Sequence, residues 1–309
     1  LPAFWGNKEI YEKVNYVKNH PDINTVFIGS SKVKHQIIPQ VFDSVNGGRT
    51  TSFNLGCDAL FMPESFQVLN YIIDSSAIRN IIYEIRPVYH IYPENLHITR
   101  TIYYHTWNNY IATLSNCMHS NLPLYRKLNL YATFSIAQAE SLLNFNFAQG
   151  YIDFKNYDVK YANRTYATDR GFSAMGDGPS EGLKNSNREL NERAKLSRKY
   201  AKLYEADSLN GLKINEIYLQ EIKKIFNKAA QHQIKLVLLF PPALREFEYK
   251  EILPLFKQLK NTQFINLSAI DKYPEFYTVE NNYETDHLNA VGSNLYSVTL
   301  ADAFNKLLK

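Results

Sequence analysis

Short apolar runs that alternate with helical patterns constrain the fold of this chain more than any other sequence feature. The runs predicted as strands cover residues 24–28, 50–55, 80–85, 234–240 and 262–267. Helices are predicted over residues 33–44, 63–76, 214–232, 247–259 and 290–308, with a kink or interruption at Pro254. Because apolar strands alternating with helices are typical of a parallel sheet covered on both faces, the sequence predicts an α/β protein. Its architecture should be three layers, α/β/α, around a five-stranded parallel sheet.

The alternation breaks in the middle of the chain. Residues 97–116 and 122–144 have helical patterns, and residues 148–182 are polar and contain several glycines. We interpret residues 88–212 as a mostly helical insertion with a long loop, within a single domain of residues 1–309. Such an insertion either forms a lid or wall of a binding site or serves as a packing subdomain.

Composition excludes several classes of protein. The 309 residues are 45% hydrophobic, which allows a sizeable core, and the net charge of +4 is too small to indicate nucleic-acid binding. No apolar run approaches the roughly 18 residues of a membrane span. The chain begins at Leu1, which is compatible with a removed N-terminal anchor. Cys57 and Cys117 lack the spacing of zinc ligands and are either a disulfide or two buried thiols.

A Gly29-Ser30-Ser31 turn follows the first predicted strand. Glycine allows a sharp turn, and Ser31 then falls in the first turn of a helix, where unpaired N–H groups favour a developing oxyanion. A serine hydroxyl at such a position becomes an effective nucleophile when a base is close to it. The alternative is that both serines merely cap the helix.

A second polar segment, Glu284-Thr285-Asp286-His287-Leu288-Asn289, directly precedes the last helix. His287 at this position can take the serine proton, and either Glu284 or Asp286 can hold the imidazole tautomer. In the alternative interpretation the segment is only a cap, in which Asn289 accepts the N–H of Gly292. Active sites of parallel sheets lie at the carboxyl ends of the strands, which is where Ser31 is expected.

These residues resemble the motifs of the SGNH/GDSL-like hydrolase superfamily. The blocks that carry the resemblance are Gly29-Ser30-Ser31, Ser52-Phe53-Asn54-Leu55-Gly56 and Glu284-Thr285-Asp286-His287. The resemblance covers residues 24–86 and 213–308 and leaves the insertion unmatched. It implies a flavodoxin-like sheet, Ser31 as the nucleophile and His287 as the base. It also implies an oxyanion hole formed by the N–H groups of Ser31 and Gly56.

The chain departs from the superfamily pattern in two places. The acid three residues before the histidine is normally Asp, whereas this chain has Glu284 there and Asp286 next to His287. The Gly-x-Asn block after the third strand is replaced by Tyr83-Glu84-Ile85-Arg86-Pro87. The oxyanion hole therefore has a side-chain donor only if Asn54 or Arg86 substitutes for that asparagine. Arg86 and His35, which lies one helical turn beyond Ser31, are the candidate substrate-binding residues.

The Gly-Ser-Ser spelling and the Asp-His-Leu-Asn ending resemble one branch of the superfamily, the extracytoplasmic proteins that work beside membrane-bound O-acyltransferases. This resemblance implies an O-acyl esterase or acyltransferase for a glycan or small ester, located in the periplasm or at the cell surface. It implies a membrane-bound O-acyltransferase as partner and neither a cofactor nor a metal ion. A second hypothesis is a catalytically silent protein that binds a polysaccharide or docks the acyltransferase. A third, a nucleotide-binding domain, requires a phosphate loop that the sequence lacks.

Overall fold

A computed structural model describes residues 4, 7–60, 64–75, 77–87, 107–120, 122–143, 166–209 and 211–308. Its strands are β1 (Thr25–Ile28), β2 (Ser52–Asn54), β3 (Asn80–Glu84), β4 (Lys235–Phe240) and β5 (Phe264–Asn266). They form one sheet in the order β2-β1-β3-β4-β5, and every neighbouring pair is parallel. This is the flavodoxin-like strand order, so the predicted α/β class and five-stranded parallel sheet are confirmed.

Twelve α-helices are described around this sheet. They are α1 (Lys8–Asn19), α2 (Ser31–Gln36), α3 (Pro39–Val45), α4 (Glu64–Ser75), α5 (Trp107–His119), α6 (Leu124–Leu142), α7 (Tyr166–Asp169), α8 (Glu181–Asn185), α9 (Arg188–Glu205), α10 (Glu216–Gln231), α11 (Glu246–Phe256) and α12 (Ala290–Leu308). None of them combines the length and the apolarity that crossing a bilayer requires.

Helices cover both faces of the sheet because successive strand residues point to opposite sides. In β1, Val26 and Ile28 belong to one buried cluster and Phe27 belongs to another. The same alternation separates Ile81 from Ile82 in β3. The first cluster packs under α1, α4, α10 and α11, whereas the second packs under α3 and α12. The carboxyl ends of the strands are left as the common edge of both layers.

The helix predicted over residues 33–44 is two helices in the structure. α2 ends at Gln36 and α3 begins at Pro39, with Ile38 in an extended conformation at φ −93° and ψ 107°. Proline disfavours helical backbone in the residue before it, so Pro39 can begin a helix but cannot continue one. The break leaves α2 as a short helix of six residues, and its first residue is Ser31.

Helix α1 was not among the sequence predictions. Its buried stripe consists of Ile10, Val14 and Val17, a helical spacing within a segment otherwise rich in lysine and glutamate. The helix also carries a fully buried lysine, Lys13, which donates to the carbonyl oxygens of Gly56 (2.6 Å) and Gly171 (3.0 Å). α1 thus supports the segment that follows β2.

The described helices of the predicted insertion pack in two different places. α5 and α6 pack against each other around a small separate cluster of Leu114, Cys117, Leu130, Phe134 and Ala137. α9 instead packs on the body of the protein, where Tyr200 belongs to the main core. Residues 88–106, 121, 144–165 and 210 of the predicted insertion lie outside the described residues. Cys57 and Cys117 are both buried thiols and form no disulfide.

Candidate active site

The two serines of the turn after β1 have different roles. Ser30 is the N-cap of α2, and its Oγ accepts a hydrogen bond from the N–H of Lys32 at 3.2 Å. Ser31 is the first residue of the helix, and its N–H has no acceptor among the residues that the structure describes. The turn requires Gly29, because a Cβ there would lie 2.5 Å from Glu84 Oε2 and from Val33 Cγ2. Capping therefore belongs to Ser30 and leaves the hydroxyl of Ser31 available for other contacts.

Ser31, His287 and Glu284 form a continuous chain of contacts. Ser31 Oγ lies 2.8 Å from Nε2 of His287, and Nδ1 of the same ring lies 2.6 Å from Glu284 Oε1. A proton on Nδ1 is donated to the carboxylate, so Nε2 is left to accept the hydrogen bond of the serine hydroxyl. This is the connectivity that an activated serine requires.

The environment of His287 keeps its imidazole neutral. Burial lowers the pKa of His287 below its usual value of 6.5, although the carboxylates of Asp286 and Glu284 act in the opposite direction. The side chain is only 13% exposed, whereas that of Glu284 is 49% exposed. A neutral imidazole is the form that can accept a proton from a serine.

The segment before α12 is held in a compact shape by its own backbone and two asparagines. The N–H of Tyr283 donates to the carbonyl of His287 (2.9 Å), and Asn282 pairs with Leu288 in an antiparallel bridge. Asn289 Oδ1 accepts the N–H of Gly292 at 3.0 Å, as the capping interpretation predicted. Capping by Asn289 and the placement of His287 are therefore compatible features of one segment.

The structure brings the two candidate acids to different partners. Glu284 contacts His287, whereas Asp286 Oδ1 lies 2.7 Å from Lys32 Nζ. Burial alone would raise the pKa of Asp286, but Lys32, Arg193 and Arg86 together bring it down to about 2. Asp286 is thus an ionised carboxylate at neutral pH and is paired with a lysine.

The two further donors predicted for the oxyanion hole have other acceptors in the structure. The N–H of Gly56 donates to Asn54 Oδ1 at 2.8 Å. The Asn54 amide donates to the carbonyls of Val33 (2.7 Å) and Ile37 (2.8 Å), at the end of α2. Gly56 and Asn54 are both packed against the backbone of α2. They therefore hold α2 against the end of β2. Ser31 N–H differs from them, since no described residue accepts its hydrogen bond.

Arg86, predicted to bind substrate, is buried under the site. Its Nε lies 2.8 Å from Glu84 Oε1, and its side chain is 7% exposed. Glu84 in turn accepts hydrogen bonds from the N–H (2.7 Å) and the hydroxyl (2.8 Å) of Ser30. Arg86 therefore acts on the turn of Ser31 through Glu84 and does not present its guanidinium to solvent.

His35, the other residue predicted to bind substrate, borders the site. The centroid of its ring lies 5.7 Å from that of His287, in an edge-to-face arrangement. Its Nδ1 is 2.5 Å from the carbonyl of Ser173 and its Nε2 is 2.9 Å from Asp58 Oδ1. Because both neighbours are acceptors, both contacts are hydrogen bonds only when each nitrogen carries a proton. His35 thereby fixes the segment after α7 beside His287.

Three buried charged residues at the site were missed by the sequence predictions: Lys32, Glu84 and Arg193 are all at most 2% exposed. Glu84 ends an otherwise apolar strand, and an ionised group at such a position needs a partner, which is the signal that was available. Arg193 donates to the carbonyl of Thr285, within the segment that carries His287. Nothing in the sequence near Arg193 indicates that contact.

A polar cleft of about 390 Å³ opens on the Glu284 side of the site. Its lining includes Ser180, Arg188, Glu189 and Thr285 as well as Glu284. The segment containing Ser180 is tied to the site, since the N–H of Ser180 donates to the carbonyl of Tyr283 at 2.8 Å. The cleft offers hydroxyl, cationic and anionic groups beside Glu284. Nowhere among the described residues do three or more His, Cys, Asp or Glu side chains cluster in a way that would hold a metal ion.

The sequence matches no protein-family model and no curated protein.

Proposed function

We propose that this protein is a serine-dependent O-acyl esterase or O-acyltransferase that acts on a glycan or a small ester. One observation carries the proposal, namely the contact chain from Ser31 Oγ through His287 to Glu284, with distances of 2.8 and 2.6 Å. These contacts lie at the carboxyl end of β1, beside the point where the strand order reverses between β1 and β3. The same motifs resemble those of SGNH-like hydrolases.

The proposed reaction has two steps. Ser31 Oγ attacks the ester carbonyl carbon while its proton moves to Nε2 of His287. As the tetrahedral intermediate collapses, His287 returns that proton to the leaving alcohol, and the acyl group stays on Ser31. A water molecule or a sugar hydroxyl then attacks the acyl-enzyme, giving hydrolysis or transfer. Glu284 holds the ring tautomer and stabilises the imidazolium that forms in each step.

The N–H of Ser31 is the proposed donor to the oxyanion. It lies at the start of α2, where unpaired N–H groups favour a negative charge. A donor of this kind contributes about 3 kcal/mol to stabilisation of the transition state. Because Gly56 and Asn54 donate elsewhere, either of them becomes a second donor only after a local rearrangement when substrate or a partner binds.

Covalent labelling tests this proposal. A fluorophosphonate should add once to the wild-type protein, and the adduct should be absent from Ser31→Ala when intact masses are compared. Ser208→Ala is the matched control, because Ser208 is exposed and lies outside the site. An unlabelled wild type, or an adduct that persists in Ser31→Ala, would contradict a serine nucleophile at position 31.

A second candidate function, docking to a membrane-bound O-acyltransferase, is favoured by the surface of α5 and α6. Most of the large apolar side chains that are exposed in the described residues belong to this helical pair. On α6 the exposed residues Leu124, Leu128, Tyr131 and Leu142 recur at steps of four, three and eleven and form one stripe, and exposed Ile136 lies beside it. An apolar stripe of this size on a surface helix is typical of a contact with another apolar surface. Such a role is compatible with the enzyme activity and does not require it.

The two roles can be separated by variants. Leu128→Glu/Ile136→Glu should keep fluorophosphonate labelling and lose co-purification with a co-expressed membrane-bound O-acyltransferase. Ser31→Ala should do the reverse. Undiminished co-purification of the charged-stripe variant would exclude the docking role of α6.

A further inference from the structure

We propose that Lys32, which is buried, and Asp286, which is partly buried, form an ion-pair clamp that holds the nucleophile and the base at their working distance. Lys32 directly follows Ser31, and Asp286 directly precedes His287. Lys32 Nζ lies 2.7 Å from Asp286 Oδ1, so an ion pair joins the two chain segments one residue away from the serine–histidine contact. Both are positioning residues, since neither contacts the reacting atoms. The proposal rests on the proposed function of Ser31 and His287.

The burial of Lys32 makes the pair unusual. Its side chain is 2% exposed, although lysine is almost never buried without a partner. Nζ also donates to the carbonyl of Pro242 at 2.7 Å, just beyond the end of β4. The ammonium group therefore joins the start of α2, the end of β4 and the segment that carries His287.

A second buried cation contacts the same segment. Arg193 on α9 donates to the carbonyl of Thr285 and, at 3.5 Å, to Asn282 Oδ1. Its guanidinium also reaches the carbonyl of Pro242 at 3.5 Å. Lys32 and Arg193 thus approach one carbonyl and one loop from two different helices. The contact between Lys32 and Asp286 joins the segment of the serine to that of the histidine, and Gln36 on α2 adds a hydrogen bond to the carbonyl of Asp286 at 3.1 Å.

The opposite charges of Lys32 and Asp286 determine what a substitution in the clamp does. Removal of one partner leaves the other charge without its ion pair at a mostly dehydrated position, which favours a displacement of the segment that carries it. A displacement of about 1 Å between nucleophile and base lowers the rate of reaction by about 10²-fold. The pair also acts on His287 electrostatically, because Asp286 raises and Lys32 lowers the pKa of its imidazole. Other groups near this ring are Glu284 on its own segment and His35 on α2.

A double-mutant cycle tests the clamp. Lys32→Met and Asp286→Asn should each slow fluorophosphonate labelling of Ser31 by about 10²-fold, and the double variant should be no slower than the worse single variant. The exposed pair Lys195–Glu192, at 2.9 Å, provides the matched control, and Lys195→Met/Glu192→Gln should label like the wild type. Multiplied effects in the double variant would overturn the clamp.

Titration of His287 by NMR gives a readout that does not depend on activity. Asp286→Asn should lower the pKa of His287 and Lys32→Met should raise it. Purely structural damage would not shift the pKa of His287 in opposite directions in the two variants. If the wild type is not labelled, the proposed function fails, and opposite shifts still establish the pair at His287. Shifts of the same sign, or none, would overturn the proposal. If Asp286→Asn does not fold, Asp286→Glu replaces it: this variant keeps the charge, so it should leave the pKa of His287 unshifted while its longer side chain slows labelling of Ser31.

Discussion

At the scale of single residues, the acid of the proposed triad is distinguished by geometry. Glu284 reaches Nδ1 of His287 at 2.6 Å, whereas the carboxylate of Asp286 is paired with Lys32. We expect Glu284→Gln to slow labelling of Ser31 by between about 10²- and 10⁴-fold, because the charge that stabilises the imidazolium is lost. Glu284→Asp keeps that charge on a shorter side chain and should recover part of the rate. Equal rates for Glu284→Gln and wild type would show that the contact is not functional.

The neutral state of His287 predicts the pH dependence of labelling. Burial lowers the pKa of His287, so the ring accepts the serine proton at neutral pH and loses this ability as the pH falls through that lowered value. The labelling rate should therefore have an acid limb centred below 6.5, with a slope of about tenfold per pH unit. Rates measured across a pH series check the position of the limb. In Glu284→Gln the limb should lie at still lower pH, since the Glu284 carboxylate raises the pKa of the ring.

Residues with chemistry of their own were predictable where the signal was local. Ser31 follows a recognisable strand and His287 precedes a recognisable helix, and the structure places them 2.8 Å apart although they are separated by 256 positions. Lys32 was not predictable, because its burial depends on Pro242 and Asp286, which are distant in the sequence. A lysine in a short helix is usually solvated, so its sequence context indicates the opposite of what the fold imposes.

At the scale of elements, α2 is the critical part of the site, and Gly56 is where it contacts the sheet edge. A Cβ at residue 56 would lie 2.3 Å from the backbone N of Lys34 and 2.8 Å from its Cα. Gly56→Ala should therefore displace α2, lower the free energy of unfolding by about 1–3 kcal/mol and slow labelling of Ser31. Chemical denaturation and labelling rates measure the two effects. Gly178→Ala is the matched control, since nothing lies within 4 Å of its added Cβ, and wild-type behaviour of Gly56→Ala would contradict the packing argument.

The predicted boundaries of helices and strands agree with the structure where the apolar pattern and the residues that end an element, such as proline, indicate the same position. β4 and α12 lie where their patterns predicted them, because β4 is an apolar run ended by Pro241 and α12 begins directly after its capping residue, Asn289. Pro39 indicates the break between α2 and α3, but the helical pattern around it favoured the prediction of one continuous helix. α1 was missed because its three buried apolar residues lie among charged neighbours, one of which, Lys13, is itself buried. Burial of a charged residue by tertiary contacts has no local signal.

At the scale of the whole molecule, the sheet layers and the α5–α6 pair have separate buried clusters. The main cluster spans both the sheet and the helices on one face, whereas the α5–α6 cluster has only five buried residues. Polar contacts link the pair to α10, among them Asn116 Nδ2 to Glu221 Oε2 at 2.9 Å. Regions with few buried apolar contacts open at lower cost than the body of a domain. The sequence predicted a mostly helical insertion here but carried no measure of how firmly it is attached.

The two cysteines report on these two regions, because Cys57 belongs to the main cluster and Cys117 to the α5–α6 cluster. Both thiols are at most 1% exposed, and burial raises the pKa of Cys117 to about 12, so neither should be alkylated in the native protein. As urea is raised, Cys117 should be alkylated before Cys57, since the smaller cluster opens first. Peptide mass analysis after brief alkylation measures both sites, and Cys117→Ala confirms the assignment. Simultaneous modification of both thiols would instead show that α5 and α6 unfold cooperatively with the sheet.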